Sequence, residues 1–390
     1  MHLDGAGARN FYLDSLRTIA ISLVLLSHAP VYLIMPAIKA HTGYYGVSMF
    51  FVISGFLITS GILRRYRSLA SIDLRSFYLF RSSRIGPGLC LLVLLNVTCL
   101  YLGISGFELS KQGPDGLPKL LLYVLTFQAN HYPGLSADGA WNVLWSLSIE
   151  EVFYLLFPLA CLAMQRTGVL IAFLCAVVTI GPFVRYTYGV PSLYYYFGCF
   201  DQLAIGCLTA FAMRRAAASF FLSCLLLISG ALSCAVAQAL VDPLSFVGPT
   251  TMAIGAALFI AGGAGLSSPS TSVLQWLTLA GKWSYELYLF HNPLLIMIGA
   301  SGLLRIMRVH LGESSASGLA LAFVLALSGG LSVFVFSPLS RHIRSWRGSV
   351  FRLTWPTASH HPAVATPTAK ASELCGKVKW TPEMGPNVRV

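Results

Sequence analysis

The sequence predicts an all-α, polytopic transmembrane helical bundle of about ten spans, and three observations predict it. Of 390 residues, 56% are hydrophobic and only 10% charged, whereas about a quarter of a soluble domain is charged. The apolar residues fall into runs of about 17 to 25, the length at which a helix crosses a bilayer core. The basic residues gather between particular runs, as they do in the cytoplasmic loops of membrane proteins.

Taken in order, the runs lie near residues 16–35, 45–63, 85–104, 145–164, 169–185, 193–213, 220–240, 246–266, 276–298 and 318–335. The first is of full-span length with no small-residue cleavage site, so it is expected to be retained as a span. Leu117–Ala129 is too short to cross and is expected to form a re-entrant or interfacial helix. With both termini cytoplasmic, twenty of the 26 basic residues fall inside, among them Arg64, Arg65, Arg67, Arg75, Arg81 and Arg84 in one loop. Arg185 is counted among the few outside. The net charge of +12 is therefore a topology signal toward membrane lipids, and no nucleic acid partner is expected.

The nine cysteines lie mostly within apolar runs and include no C-x-x-C pair. They read as small buried hydrophobes, with neither a disulfide frame nor a metal site expected. Residues 1–345 are expected to form the membrane-embedded domain. The stretch 354–390, rich in Pro, Thr, Ala, Lys and Ser, is expected to be a disordered cytoplasmic tail.

Ionisable residues inside apolar runs are costly, so each raises the question of function. Arg17 and His28 are eleven residues apart, within about 20° of three helical turns, which sets them on one face about 16 Å apart. Ser146, Glu150 and Tyr154 share a face of the fourth run, and Ser284, Tyr288 and His291 share one on the ninth. Asp201 enters the sixth run and Glu286 the ninth. Such groups can simply neutralise one another and join helices. A carboxylate beside a histidine also makes the imidazole a general base, and of the adjacent Glu150 and Glu151 only one is expected to join the cluster.

At the cytoplasmic face, where Arg17 also lies, Arg81 and Arg84 open the third run as an R-x-x-R pair. Two guanidiniums at that spacing can grip phosphate oxygens together, though a cluster facing anionic lipid needs only the charge. Ser54 and Gly55 are small residues in a helix otherwise built of large ones, which lets another backbone or a thin ligand approach.

In their order, these motifs resemble the acyltransferase 3 family of integral membrane acyltransferases, which includes bacterial O-acetyltransferases of surface polysaccharides, Nod-factor acetylating enzymes and macrolide acyltransferases. The resemblance rests on R-x10-H at Arg17 and His28, the run from Phe50 to Leu57, and Arg81-x-x-Arg84-Ile-x-Pro87. It continues in Trp145-Ser-Leu-Ser-Ile-Glu150-Glu151, Asp201 to Gly206, and Ser284 to His291. It covers nearly the whole chain except the tail.

The resemblance implies transfer of an acyl group from cytosolic acyl-CoA, acetyl-CoA first, to a hydroxyl of a sugar-containing acceptor at the bacterial plasma (inner) membrane. It implies His28 as catalytic histidine with Arg17 as its partner, Glu150 as the motif acid, and Arg81 and Arg84 on the CoA phosphates. Ser54 and Gly55 would line the donor path, and Glu151, Asp201, Tyr288 and His291 would contact the acceptor or support the site. Many relatives add a soluble esterase-like domain. The tail here is short and polar, so completion by the membrane domain itself or by a partner acyltransferase or polysaccharide export protein is expected. The other class compatible with buried His, Glu and Asp is a transporter with a proton or substrate path, which predicts repeated halves. No repeat is apparent.

Overall fold

A computed structural model describes residues 11–28, 42–109, 116–133, 135, 139–215, 219–266, 278–311, 313–331 and 338. Every regular element among them is helical. In chain order these are α1 (Phe11–His28), α2 (Gly43–Arg65), α3 (Leu74–Tyr101), α4 (Gly116–Leu125), α5 (Leu144–Met164), α6 (Thr167–Tyr188) and α7 (Phe200–Arg215). They continue with α8 (Phe220–Leu240), α9 (Gly248–Gly263), the single turn α10 (Leu279–Lys282), α11 (Ser284–Ala300), α12 (Leu303–Leu311) and α13 (Glu313–Leu331).

Five helices are long and apolar enough to cross a membrane: α2, α3, α5, α6 and α8. Helices occupy the other five predicted runs too, but α1, α7, α9, α11 and α13 are 16 to 19 residues long. Five candidate spans are thus established among the described residues, and the expected ten are not. The sixth run was expected to be helical from residue 193, yet Val190–Tyr194 and Tyr196–Gly198 are separate 3-10 turns and α7 starts at Phe200. Gly189 at φ +66° and Pro191 at the start of the first turn delay the helix there. The short piece near Leu117 is the ten-residue α4, about 15 Å long and too short to cross. The expected tail, 354–390, lies outside the described residues.

Helix α2 is the hub, packing on α1, α5, α7 and α9. Close approach is built from small residues: a Cβ at Gly46 would strike the Ala20 carbonyl of α1. A Cβ at Gly55 would strike the Leu203 carbonyl of α7, and one at Gly206 the Val52 carbonyl of α2. Backbone contact of this kind drives helix association where lipid removes the hydrophobic force between helices. Helix α3 starts at Asp73, whose Oδ1 accepts the Ser76 N–H at 3.3 Å and so satisfies one of the free amides of the first turn.

A buried ion pair ties α6, α7 and α9. Arg185 Nη1 and Nη2 donate to the two Asp201 oxygens at 3.0 and 2.9 Å. Arg185 Nε donates to the Phe246 carbonyl at 2.9 Å and Nη1 also to the Gly198 carbonyl. Thr250 Oγ1 donates to Asp201 at 2.6 Å. Counting Arg185 as an outside loop charge is therefore corrected: it is 3% exposed and neutralised within the bundle.

Candidate active site

Two cavities follow one another along the bundle, and α1, α2, α5 and α11 line both. The first, about 100 Å³, is lined by Arg17 of α1, Ser54 of α2, Arg81 and Arg84 of α3, Glu150 and Tyr154 of α5, and Ser284 and Tyr285 of α11. The second, about 620 Å³, is lined by Ser27 and His28 of α1, Tyr44 of α2, Trp145 of α5 with Asn142 just ahead of it, and His291 and Asn292 of α11. Gly106, just beyond α3, lines it as well. On α1 and α11 the first cavity's residues precede the second's, and on α2 and α5 the order reverses. Antiparallel helices give that pattern only if the cavities are stacked along the bundle axis. Val47 and Tyr288 line both and stand between them.

In the first chamber the Glu150 carboxylate is held by two hydroxyls. Ser54 donates to Oε1 at 2.9 Å, and Tyr154, one turn on in α5, donates to Oε2 at 2.8 Å. The Arg81 guanidinium lies over the Tyr154 ring at 4.7 Å from its centroid, a cation–π arrangement that fixes its plane while its N–H edge stays available. Arg17 Nη1 donates to Asp14 Oδ1 at 2.7 Å. Three guanidiniums converging on one cavity can receive a polyanion such as a phosphate group.

The second chamber carries the imidazoles. The rings of His28 and His291 lie edge to face with centroids 4.9 Å apart. His28 Nδ1 is 3.0 Å from the Val24 carbonyl, and His291 Nδ1 is 2.7 Å from the Tyr288 carbonyl. A carbonyl only accepts, so in the tautomer that makes these hydrogen bonds Nδ1 carries the proton and Nε2 presents a lone pair. An imidazole in that tautomer can take a proton from a hydroxyl. The wall between chambers is braced: Tyr288 OH and Ser146 Oγ share a hydrogen bond of 2.5 Å, and the Phe50 ring meets Tyr288 edge on.

A family model described as an acyltransferase domain, that of acyltransferase 3, matches residues 10–339. The chain belongs to the acyltransferase 3 family. It is 29% identical over 317 residues to the O-acetyltransferase OatA of Staphylococcus aureus, covering 74% of this chain and 51% of that protein. It is 26% identical over 318 residues to the "Putative peptidoglycan O-acetyltransferase YrhL" of Bacillus subtilis, covering 73% and 48%. The chain thus spans about half the length of these relatives. No solved structure matches it. Membership and the five apolar helices make this an integral membrane protein.

Within this acyltransferase 3 chain the predicted residues divide. Arg17, Ser54, Arg81, Arg84 and Glu150 line the first chamber, His28 and His291 line the second, and Tyr288 lines both. Glu151 lines neither. Gly55 turns to the Leu203 backbone of α7, and Asp201 serves the ion pair with Arg185, so both act in helix packing. Sequence reasoning missed Asn142 and Asn292 in the second chamber. Their signal was present: Asn142 is a polar residue between Trp141 and Trp145, and Asn292 directly follows His291.

Proposed function

We propose that this acyltransferase 3 chain is a membrane O-acyltransferase that accepts acyl-CoA, acetyl-CoA first, in the arginine chamber. It delivers the acyl group to a hydroxyl of a sugar-containing acceptor in the histidine chamber. The observation that carries this reading is the stacking of a guanidinium-lined cavity on an imidazole-lined cavity across one thin wall. The nucleotide phosphates lie at Arg81, Arg84 and Arg17, and the narrow pantetheine arm brings the thioester to the wall at Tyr288. His28 Nε2 takes the proton of the acceptor hydroxyl as its oxygen attacks the thioester carbonyl. The C–S bond then breaks, and the imidazolium returns the proton to the departing thiolate. A sugar-containing acceptor is supported by the name of the Bacillus subtilis relative, the bacterial plasma membrane by the bacterial sources of both relatives, and cytoplasmic termini by the distribution of basic residues.

The test is transfer from labelled acetyl-CoA to peptidoglycan glycan fragments by the purified full chain in lipid nanodiscs. His28→Ala is expected to lower kcat by about 10²- to 10⁴-fold, the usual worth of general-base catalysis. Arg81→Ala and Arg84→Ala are each expected to raise the KM for acetyl-CoA by about 10- to 100-fold, the scale of one hydrogen bond to a charged group. Wild-type transfer by His28→Ala overturns the reading. So does acceptor-sugar flux across proteoliposomes without acyl-CoA, the behaviour of a transporter.

A further inference from the structure

Two residues that line the histidine chamber each carry a buried polar atom without a hydrogen-bond partner, His291 Nε2 and Asn142 Oδ1. Such atoms are rare in native interiors and each calls for a cause. His291 is fully buried, and its Nδ1–H is committed to the carbonyls of Tyr288 at 2.7 Å and Leu287 at 3.1 Å. Its Nε2 in the neutral ring can therefore only accept. The Asn142 oxygen can also only accept. The segments that carry the two residues are tied together, because Asn292 Nδ2, beside His291 in sequence, donates to the Gly139 carbonyl. Gly139 opens the turn that carries Asn142, whose own N–H donates to that same carbonyl at 3.1 Å.

The chamber therefore supplies two fixed acceptors and asks its ligand for two donors. A phosphate or carboxylate does not meet that demand, and a simple alcohol meets half of it. The rest of the lining favours a ring. Tyr44 and Trp145 lie parallel with centroids 5.7 Å apart, and Tyr194 meets Trp145 edge on at 4.8 Å, giving the same chamber an aromatic wall. Few convergent polar groups on an aromatic lining mark a binding site.

We infer that His291 Nε2 and Asn142 Oδ1 form an acceptor-binding subsite that holds two hydrogen-bond donors of a polyhydroxylated ring, separate from the hydroxyl acylated at His28. This rests on the reading of the histidine chamber as the acceptor side. His291 and Asn142 are positioning residues: they set which hydroxyl reaches His28.

The experiment uses the full chain in nanodiscs and reads thermal unfolding with acetyl-CoA and, separately, with three probes: N-acetylglucosamine tetramer, maltotriose and cyclohexanol. At least one oligosaccharide is expected to raise Tm, and cyclohexanol is not. In His291→Leu and Asn142→Leu the oligosaccharide shift is expected to vanish while the acetyl-CoA shift keeps its wild-type size, which also shows that these variants fold. Asn142→Asp, which keeps an acceptor oxygen, is expected to retain the sugar shift. In transfer assays the acceptor KM of the two leucine variants is expected to rise at least about tenfold, with the KM for acetyl-CoA within about twofold of wild type. The inference is overturned if neither oligosaccharide shifts the wild type while acetyl-CoA does, or if both leucine variants bind sugar as the wild type does. A wild type shifted by sugar but not by acetyl-CoA supports the subsite and overturns the donor reading instead.

Discussion

Glu150 shows what a single residue position reveals in sequence and what it hides. Its partnership with Tyr154 was legible from i, i+4 spacing in one helix. Its second partner, Ser54, lies 96 residues away on α2 and was not, because local spacing carries no information about which helix faces which. For Arg17 the order is different: topology alone set it at one face with Arg81, with which it lines a cavity, while its local pairing with Asp14 went unread. With both hydroxyls aimed at one carboxylate, Ser54→Ala is expected to lower kcat/KM for transfer about tenfold, the scale of one hydrogen bond to a charged group. Glu150→Gln is expected to lower it further, since the amide withdraws one acceptor oxygen and the charge together. Steady-state transfer assays compare the three proteins, and equal rates would remove Glu150 from the site.

Elements were legible where composition changes sharply. The runs at 45–63, 145–164 and 220–240 became α2, α5 and α8 with ends shifted by at most two residues. The start of α3 was not: the helix begins at Leu74, eleven residues before the apolar run, because backbone hydrogen bonding continues through the polar Arg-rich segment once Asp73 caps it. That cap sits two turns from Arg81 and belongs to the same rigid element, so Asp73→Ala is expected to weaken the helix start by about 0.5–2 kcal/mol. It should also raise the KM for acetyl-CoA, with faster amide exchange over residues 74–84 as the direct measurement. The hydrogen bonds from Ser76 hold the Asp73 carboxyl below its usual range. The stabilisation is therefore present at neutral pH and is lost only as pH falls through that lowered value.

For the whole molecule, the sequence pointed to a helical membrane bundle and marked the ionisable residues of each apolar run, but position in a run cannot tell a functional group from a structural one. Asp201 and His28 both stand in apolar runs, yet one closes an ion pair with Arg185 and the other lines a chamber. A buried charge stripped of its partner is costly, whereas an apolar pair of similar volume is often tolerated. Arg185→Met alone is accordingly expected to destabilise the protein by about 3–5 kcal/mol. Arg185→Met with Asp201→Leu is expected to recover part of that loss, as read by unfolding in detergent.

The slender wall at Val47 and Tyr288 has an electrical meaning. Two polar hollows placed end to end through a bilayer would, if joined, short-circuit the potential on which the cell's energy supply depends, so the handover has to occur across a plug that passes an acetyl group and no ions. Replacing Tyr288 by Gly is expected to make proteoliposomes leak protons under an imposed voltage, a current measurable with no substrate present.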